Sequence, residues 1–312
     1  MMVLVGMAVL GVDVGRLTIT ATETQTAVDA SAVSYAWTML DNEVDGTFDN
    51  PKVHADMILR ANSIDGKRAT MADVDYAIGT FNFESRKFRP GGFPANAVRA
   101  DGVAQVDNVF APIFGAHSSD VNRFAVAAYG GVGKVQPTLP IALGDCYFKE
   151  FQRSDDCSDL PQLQQVPDNE ENSCFTSLAV TAANSSDTMR LLPAECCAGG
   201  TCGGGELSGE VAIGDHIDVV DGALSKVMQV LGDCVRQGIT EFLIPIVKCG
   251  TCNRQMEVVG FATVDIKRVR ATGRDGKGLD LEGICSATAA GGGAGNGGSD
   301  GNFGTMTVSL VQ

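Results

Sequence analysis

Residues 1–12, MMVLVGMAVLGV, carry no charge and are apolar all round a helix. From Asp13 onward the pattern becomes one-sided. Leu17, Ala21, Val28, Ala32, Tyr35 and Leu40 recur at spacings near three to four. No proline precedes Pro51, and no glycine lies between Gly15 and Gly46. The pattern predicts a single helix over about residues 2–40, roughly 60 Å long at 1.5 Å per residue. The apolar run stops at Asp13, short of the about 20 residues of a spanning helix. It also lacks the basic start and prompt small-residue cleavage site of a secretory signal. Two expectations follow: an ordinary buried core helix, or a membrane or filament-core stalk carrying an exported head. The apolar end and the cysteine-bearing sequence behind it favour the stalk. Val3, Leu4, Gly6, Met7, Ala8, Leu10, Gly11, Asp13, Gly15 and Arg16 are then the assembly residues, the small ones allowing close helix approach. Asp13 and Arg16 lie three apart on one face, so they can satisfy each other or a neighbouring subunit's charge.

Turn formers cluster at 42–51 and 62–66, bracketing a short helix, PKVHADMILRA, with proline at its start. Strands are expected at 74–83 and 97–106. Asp107, Asn108, Ser118 and Ser119 are candidate helix starters. Residues 123–143 suggest a buried strand, a glycine turn and a second strand. Residues 145–173 turn acidic and polar, a stapled surface excursion, and 175–184 return to core-like sequence. A glycine–cysteine loop occupies 194–209. A strand and then a helix from about Ala223 are expected within 214–235. The clearest strands are 239–249 and 255–272, an antiparallel pair across the CGTCN turn. Residues 286–304 are low-complexity and glycine-rich, ahead of a short apolar end.

Composition narrows the function. The 312 residues suffice for one large domain or two ordinary ones. Lys plus Arg is 23 against 38 Asp plus Glu, a formal charge of −15, which excludes a basic footprint for nucleic acid or anionic lipid. Ten cysteines, Cys146, Cys157, Cys174, Cys196, Cys197, Cys202, Cys234, Cys249, Cys252 and Cys285, crowd the second half. An even number in loop-like sequence points to disulfides and an exported chain, with zinc and free thiols as alternatives.

Catalytic patterns are missing from the sequence. Gly130-Gly131-Val132-Gly133-Lys134 has Ala128 where a P-loop needs glycine and Val135 where it needs Ser or Thr, so a strand-joining turn is expected. Cys249-Gly-Thr-Cys252 has no following histidine for haem attachment, and a local disulfide suits it better. His54, His117 and His216 form no HExxH motif, and Ser118 and Ser119 stand in no nucleophile elbow. The oxygen-rich loops 41–49 and 296–302 could hold Ca²⁺ but fit no EF-hand spacing, so solvated turns are expected and no cofactor is assigned.

The assembled landmarks resemble the TadG-like family of Tad/Flp pilus-assembly envelope proteins. Val12-Asp13-Val14-Gly15-Arg16 and Gln25-Thr26-Ala27-Val28-Asp29-Ala30 are similar to that family's amino-terminal helix. RANSIDG (60–66), DVDYAIG (73–79), ANAVRA (95–100), VFAPIFGAHSSDVNRFAVA (109–127), CFTSL, VAIGDHIDVVDG (211–222), EFLIPIV (241–247) and VVGFATVDI (258–266) follow in order. The resemblance covers about nine tenths of the chain. It departs in lacking basic residues before the helix, as in a processed or cropped form, and the Asp-x-Ser-x-Ser metal signature of some relatives. It implies one amino-terminal membrane helix and an exported domain linked to tight-adherence pili. The expected fold is α+β: a stalk helix over 1–40, a β-rich, disulfide-stapled head over 41–285, and a glycine-rich loop with a terminal strand over 286–312. The expected role is a non-enzymatic surface or filament subunit, a homo-oligomer through its terminal helices, in contact with other pilus or envelope proteins and with membrane before assembly. The alternatives are an inner-membrane-anchored periplasmic assembly factor, and an exported metal-binding protein or enzyme.

Overall fold

The long helix α1 runs from Met2 to Asp45, a little beyond the predicted end. The structure is a computed structural model, and it describes residues 2–70, 73–145, 173–176, 192, 196, 210–220, 225–250, 255–270, 278–284, 287–288, 293–294 and 305–311. Cys146, Cys157, Cys197, Cys202, Cys252, Cys285 and the 296–302 loop lie outside the described residues, as does most of the excursion at 145–173. The fold is α+β, as expected. Among the described residues no helix is long and apolar enough to cross a membrane.

The chain divides into two units, 1–129 with 308–312, and 130–307. In the first, α2 (Pro51–Arg60) starts with Pro51 in its first turn, as the sequence predicts, and the structure adds an Asn50 cap that accepts from Lys52 N. The short strands β1 (Ser63–Ile64) and β2 (Lys67–Arg68) form a small hairpin. A second antiparallel sheet joins β3 (Val74–Asn82), β4 (Lys87–Pro90), β5 (Ala97–Asp107) and β6 (Ser118–Val135), in the order β4-β3-β5-β6. Val311 N donates to Val126 O, so the chain end returns to this unit.

One face of the sheet packs on α1. On β5, Val98, Ala100, Ala104 and Val106 are buried and Gly102 sits among them. On the helix the covered stripe is Asp13, Thr20, Thr24, Ala27, Ser31 and Tyr35, with Val28, Ala32, Ala36 and Leu40 beside it. The predicted stripe holds at Val28, Ala32, Tyr35 and Leu40, but Leu17 and Ala21 are only half-buried. Small and hydroxyl side chains replace large apolar ones in the first half because the backbones run close. Thr24 returns its hydroxyl to Thr20 O at 2.7 Å, which satisfies it in the dry seam. From Asp13 to Leu40 the helix expected as a stalk therefore packs as a core helix of this unit.

Two expectations along β6 are corrected. Ser118 and Ser119 start no helix; they open a strand that pairs Ser118 with Asp107 and continues to Ala128 opposite Ala97. Gly130–Lys134 makes no turn. It stays extended because Val132, Lys134 and Val135 find partners in β9 (Val211–Ala212) and β15 (Gly293–Ala294). Asp107 and Asn108 begin no α-helix either, only a 3₁₀ turn at Ala111–Phe114.

In the second unit β7 (Ile141–Gly144), β8 (Ser173–Thr176), β10 (His216–Val220), β11 (Glu241–Val247) and β12 (Gln255–Arg270) close on themselves, through a β10–β12 pairing, with β13 (Gly278–Ile284) added along β12. The β11–β12 pair is antiparallel, as predicted, with Glu241 opposite Asp265. Helix α3 (Ser225–Arg236) lays Val227, Met228 and Leu231 on Phe242, Ile244 and Ile266. Cys196 and Cys234, both fully buried in this cluster, form a disulfide. Cys249 is also disulfide-bonded, and among the described residues no cysteine is free. The last strands are β14 (Ala287–Thr288) and β16 (Thr305–Leu310), paired in parallel.

Candidate functional site

The features that carry chemistry in the first unit meet where α1 leaves the sheet. Asp13 is only 5% exposed. Its Oδ1 accepts from Val109 N at 2.8 Å, and its Oδ2 accepts from Phe110 N at 3.0 Å and Ala111 N at 2.7 Å. Three successive amides converge because the chain turns into the 3₁₀ segment, leaving its first N–H groups without backbone acceptors. Burial pushes the Asp13 carboxyl up, but the amides of Val109, Ala111 and Phe110, aided by Arg16, outweigh this and hold it below the ordinary 3.8.

Arg16 does not pair with Asp13 by contact. It donates to Asp107 O at 2.9 Å and to both carboxylate oxygens of Asp65, at 2.9 and 3.2 Å. Asp65 in turn donates its backbone N–H to Glu23 Oε2 at 2.8 Å. These partners lie 42 to 98 residues away in sequence. The expected need of Asp13 for a partner is met within the chain, by main-chain amides. A neighbouring subunit is not required for either charge.

The contacts fix a direction. Gly102 faces Thr24 and Val28, Asp107 lies at Arg16, and residues 109–111 lie at Asp13. So β5 runs antiparallel to α1 and carries the β5–β6 tip toward the uncharged start of the helix. Gln25 Nε2, donating to Phe124 O at 3.2 Å, marks the return along β6. At the tip Ile113 is 77% and Phe114 72% exposed, and Val109 is exposed as well. Gly115, at φ 87°, closes the 3₁₀ segment in the left-handed region. On α1, Val12, Val14 and Ile19 are exposed, and Gly11 and Gly15 have open space where a side chain would stand. Val3, Leu4, Gly6, Met7, Ala8 and Leu10 are helical in backbone.

At the other end of α1, the Tyr129 hydroxyl lies 2.5 Å from Glu43 Oε2 and 2.6 Å from Ala95 O. Burial and the Glu43 carboxylate push its pKa well above 10. On the sheet face opposite α1 an open groove of about 600 Å³ is lined by Phe81, Phe88, Arg99 and Phe124. Arg99 stacks over Phe124 at 4.4 Å and pairs with Asp101, so its charge is already engaged. Among the described residues no group of three or more His, Cys, Asp or Glu is placed to hold a metal. In the 41–49 loop the Asn42 side chain accepts from Thr47 and Asp49 and donates to Asp49 O, the pattern of a self-satisfied turn.

Replacing Asp13 by Asn tests the amide clamp. A lowered folded pKa means that the carboxylate stabilises the fold above the ordinary value, and that this contribution disappears as pH falls through the folded value. The urea midpoint of the wild type should exceed that of Asp13→Asn at pH 7. The gap should narrow as the pH falls below the ordinary carboxylate value of 3.8. A gap that is flat or widens toward acid would remove the clamp.

Residues 36–127 match a protein family described as "Putative Tad-like Flp pilus-assembly". The match contains RANSIDG, DVDYAIG, ANAVRA and the 109–127 stretch, four of the landmarks read from sequence. The other landmarks lie outside it. No curated protein and no solved structure matches the chain. The match is consistent with a Tad-related family and supports a pilus-related role at the cell envelope or surface.

Proposed function

We propose that this chain is a non-enzymatic structural component of a Tad-related pilus, a cell-surface or filament subunit that assembles through the start of α1. The observation that carries the reading is that residues 2–12, ahead of the Asp13 clamp, are uncharged and largely apolar. Leaving such a helical run in water is unfavourable by roughly 1–2 kcal/mol for each large side chain, so it calls for a partner surface. The candidate surfaces are copies of the same helix, other pilus or envelope proteins, and the membrane before assembly; the family match supports a pilus-related partner. The non-enzymatic character rests on the missing catalytic motifs of the sequence.

The amide clamp gives this reading a mechanical sense. Asp13, Arg16 and Glu23 anchor the helix to loops at 63–66 and 107–111. A load applied to the helix start is thereby transmitted to the sheet as well as to the helix backbone. Deleting residues 2–12 should leave a folded chain, with unchanged circular dichroism and urea midpoint, that no longer enters sheared extracellular filaments. Gly11→Leu should reduce incorporation more mildly. Normal incorporation of the deleted chain would sink the proposal. Retention of the wild type in the membrane fraction, with none in filaments, would favour the second reading, a membrane-anchored assembly factor, which the uncharged run also suits.

A further inference from the structure

We infer that the β5–β6 tip, residues 108–116, is a second membrane-contacting element that enters the headgroup region of a lipid bilayer beside the start of α1. The inference rests on the reading that the helix start leaves water, and it adds a separate element to it.

Position is the first support. Because β5 runs toward the uncharged end of α1, the tip and residues 2–12 lie at one end of the first unit. Composition is the second. Residues 108–116, NVFAPIFGA, contain no charged side chain in a chain of which 20% is charged. Ile113 and Phe114 stand outward while the sheet behind them has a filled core.

The third support is that most of the tip's backbone N–H groups have partners within the chain. Asn108 N donates to His117 O. Val109, Phe110 and Ala111 donate to Asp13. Ile113 donates to Phe110 O, Gly115 to Pro112 O and Ala116 to Ala111 O, and Pro112 has no N–H to satisfy. An unpaired amide is costly to carry toward an apolar medium, so this pairing lowers the cost of entry. Lipid fits better than one partner helix because the neighbouring helix start is apolar all round and a single partner would cover one side only. The uncharged tip and the net charge of −15 point to a neutral headgroup surface and not to an anionic one.

The test uses the full chain and vesicles of phosphatidylcholine. Ile113→Ser with Phe114→Ser should lower partitioning by roughly tenfold, with an unchanged urea midpoint, because both side chains are exposed in the fold. Phe114→Trp should give an emission that shifts to the blue on vesicle addition and is quenched by brominated-chain phosphatidylcholine, over the background from Trp37. Adding phosphatidylserine should not strengthen binding. Unchanged partitioning of the double variant, or no quenching at position 114, overturns the inference. Loss of filament incorporation without loss of vesicle binding also overturns it, since the tip would then be a protein contact. The chain lacking residues 2–12 separates the two readings. If it fails to bind while the tip variant binds normally, the helix reading stands and the tip inference fails. If it binds as the wild type does and the tip variant does not, the reverse holds.

Discussion

Gly102→Val is expected to open the seam between α1 and the sheet. A Cβ at this position would stand 2.4 Å from Val28 Cγ2 and 3.4 Å from Thr24 Cγ2. Val28 is fully buried and β-branched, so in a helix it has essentially one rotamer and cannot swing aside. Relief requires the helix to move off the sheet, which uncovers Thr24, Ala27 and Ser31 in sequence. Overpacking by a methyl group costs about 1–3 kcal/mol, and valine adds two methyls more. The gain in strand propensity, about 1 kcal/mol at most, does not reverse the sign. Gly102→Ala should therefore lower stability by about 2 kcal/mol, and Gly102→Val by clearly more. The sole tryptophan, Trp37, lies on α1 and reports this unit directly in a urea titration followed by fluorescence. Val103→Ala, one residue along on the exposed face, should change little. If Gly102→Val matches the wild type, α1 is not seated on β5 as described.

The second large effect is expected in the other unit, from replacing Cys196 and Cys234 together by alanine. The bond links residues 38 apart in sequence. The chain-entropy relation for a closed loop of that size gives about 4 kcal/mol, within the 2–5 observed for native disulfides of small domains. Both sulfurs sit in the cluster that joins α3 to β11 and β12, where alanine also leaves unfilled space. Hydrogen exchange of the α3 amides should accelerate by on the order of a hundredfold or more, as the opening free energy of that helix falls. Because both cysteines are fully buried, a mild reductant should act on the wild type only as fast as it unfolds. A double variant whose α3 exchange stays within a factor of two of the wild type would show that the bond adds nothing to this core.

The legible parts of this fold are those with a local cause. The α2 boundaries follow from Asn50 and Pro51, and the β11–β12 hairpin from two apolar runs around a short turn. The carboxyl half of the α1 stripe follows from Val28, Ala32, Tyr35 and Leu40. The amino half was less legible. Its contacts are made by Asp13, Thr20 and Thr24, which a hydrophobicity pattern scores as solvent-facing. Ser118 and Ser119 resemble helix caps as much as strand residues. Their pairing with Asp107 and Val106 decides the outcome. A signal for the clamp did exist in sequence: Asp13 ends a twelve-residue uncharged run, where an ionised side chain needs a partner. Nothing local identified that partner as the amides of 109–111.

By itself the sequence determined the class and the outline: a long helix ahead of a β-rich body, an acidic surface, cysteines suited to bridging, and a pilus-related resemblance. The resemblance rests on ordered sequence landmarks, and the rest follows from periodicity, composition and short turns, whose energetics are settled within a few residues. Tertiary structure alone decided which residues of α1 between Asp13 and Leu40 are buried, that Gly130–Lys134 stays in a strand, that Arg16 binds Asp65 and not Asp13, that Cys196 meets Cys234, and that the ring of strands closes at β10–β12. Each depends on a partner tens of residues away. Backbone amides and strand edges are common to nearly every residue type, so the side-chain sequence does not name which of them will meet.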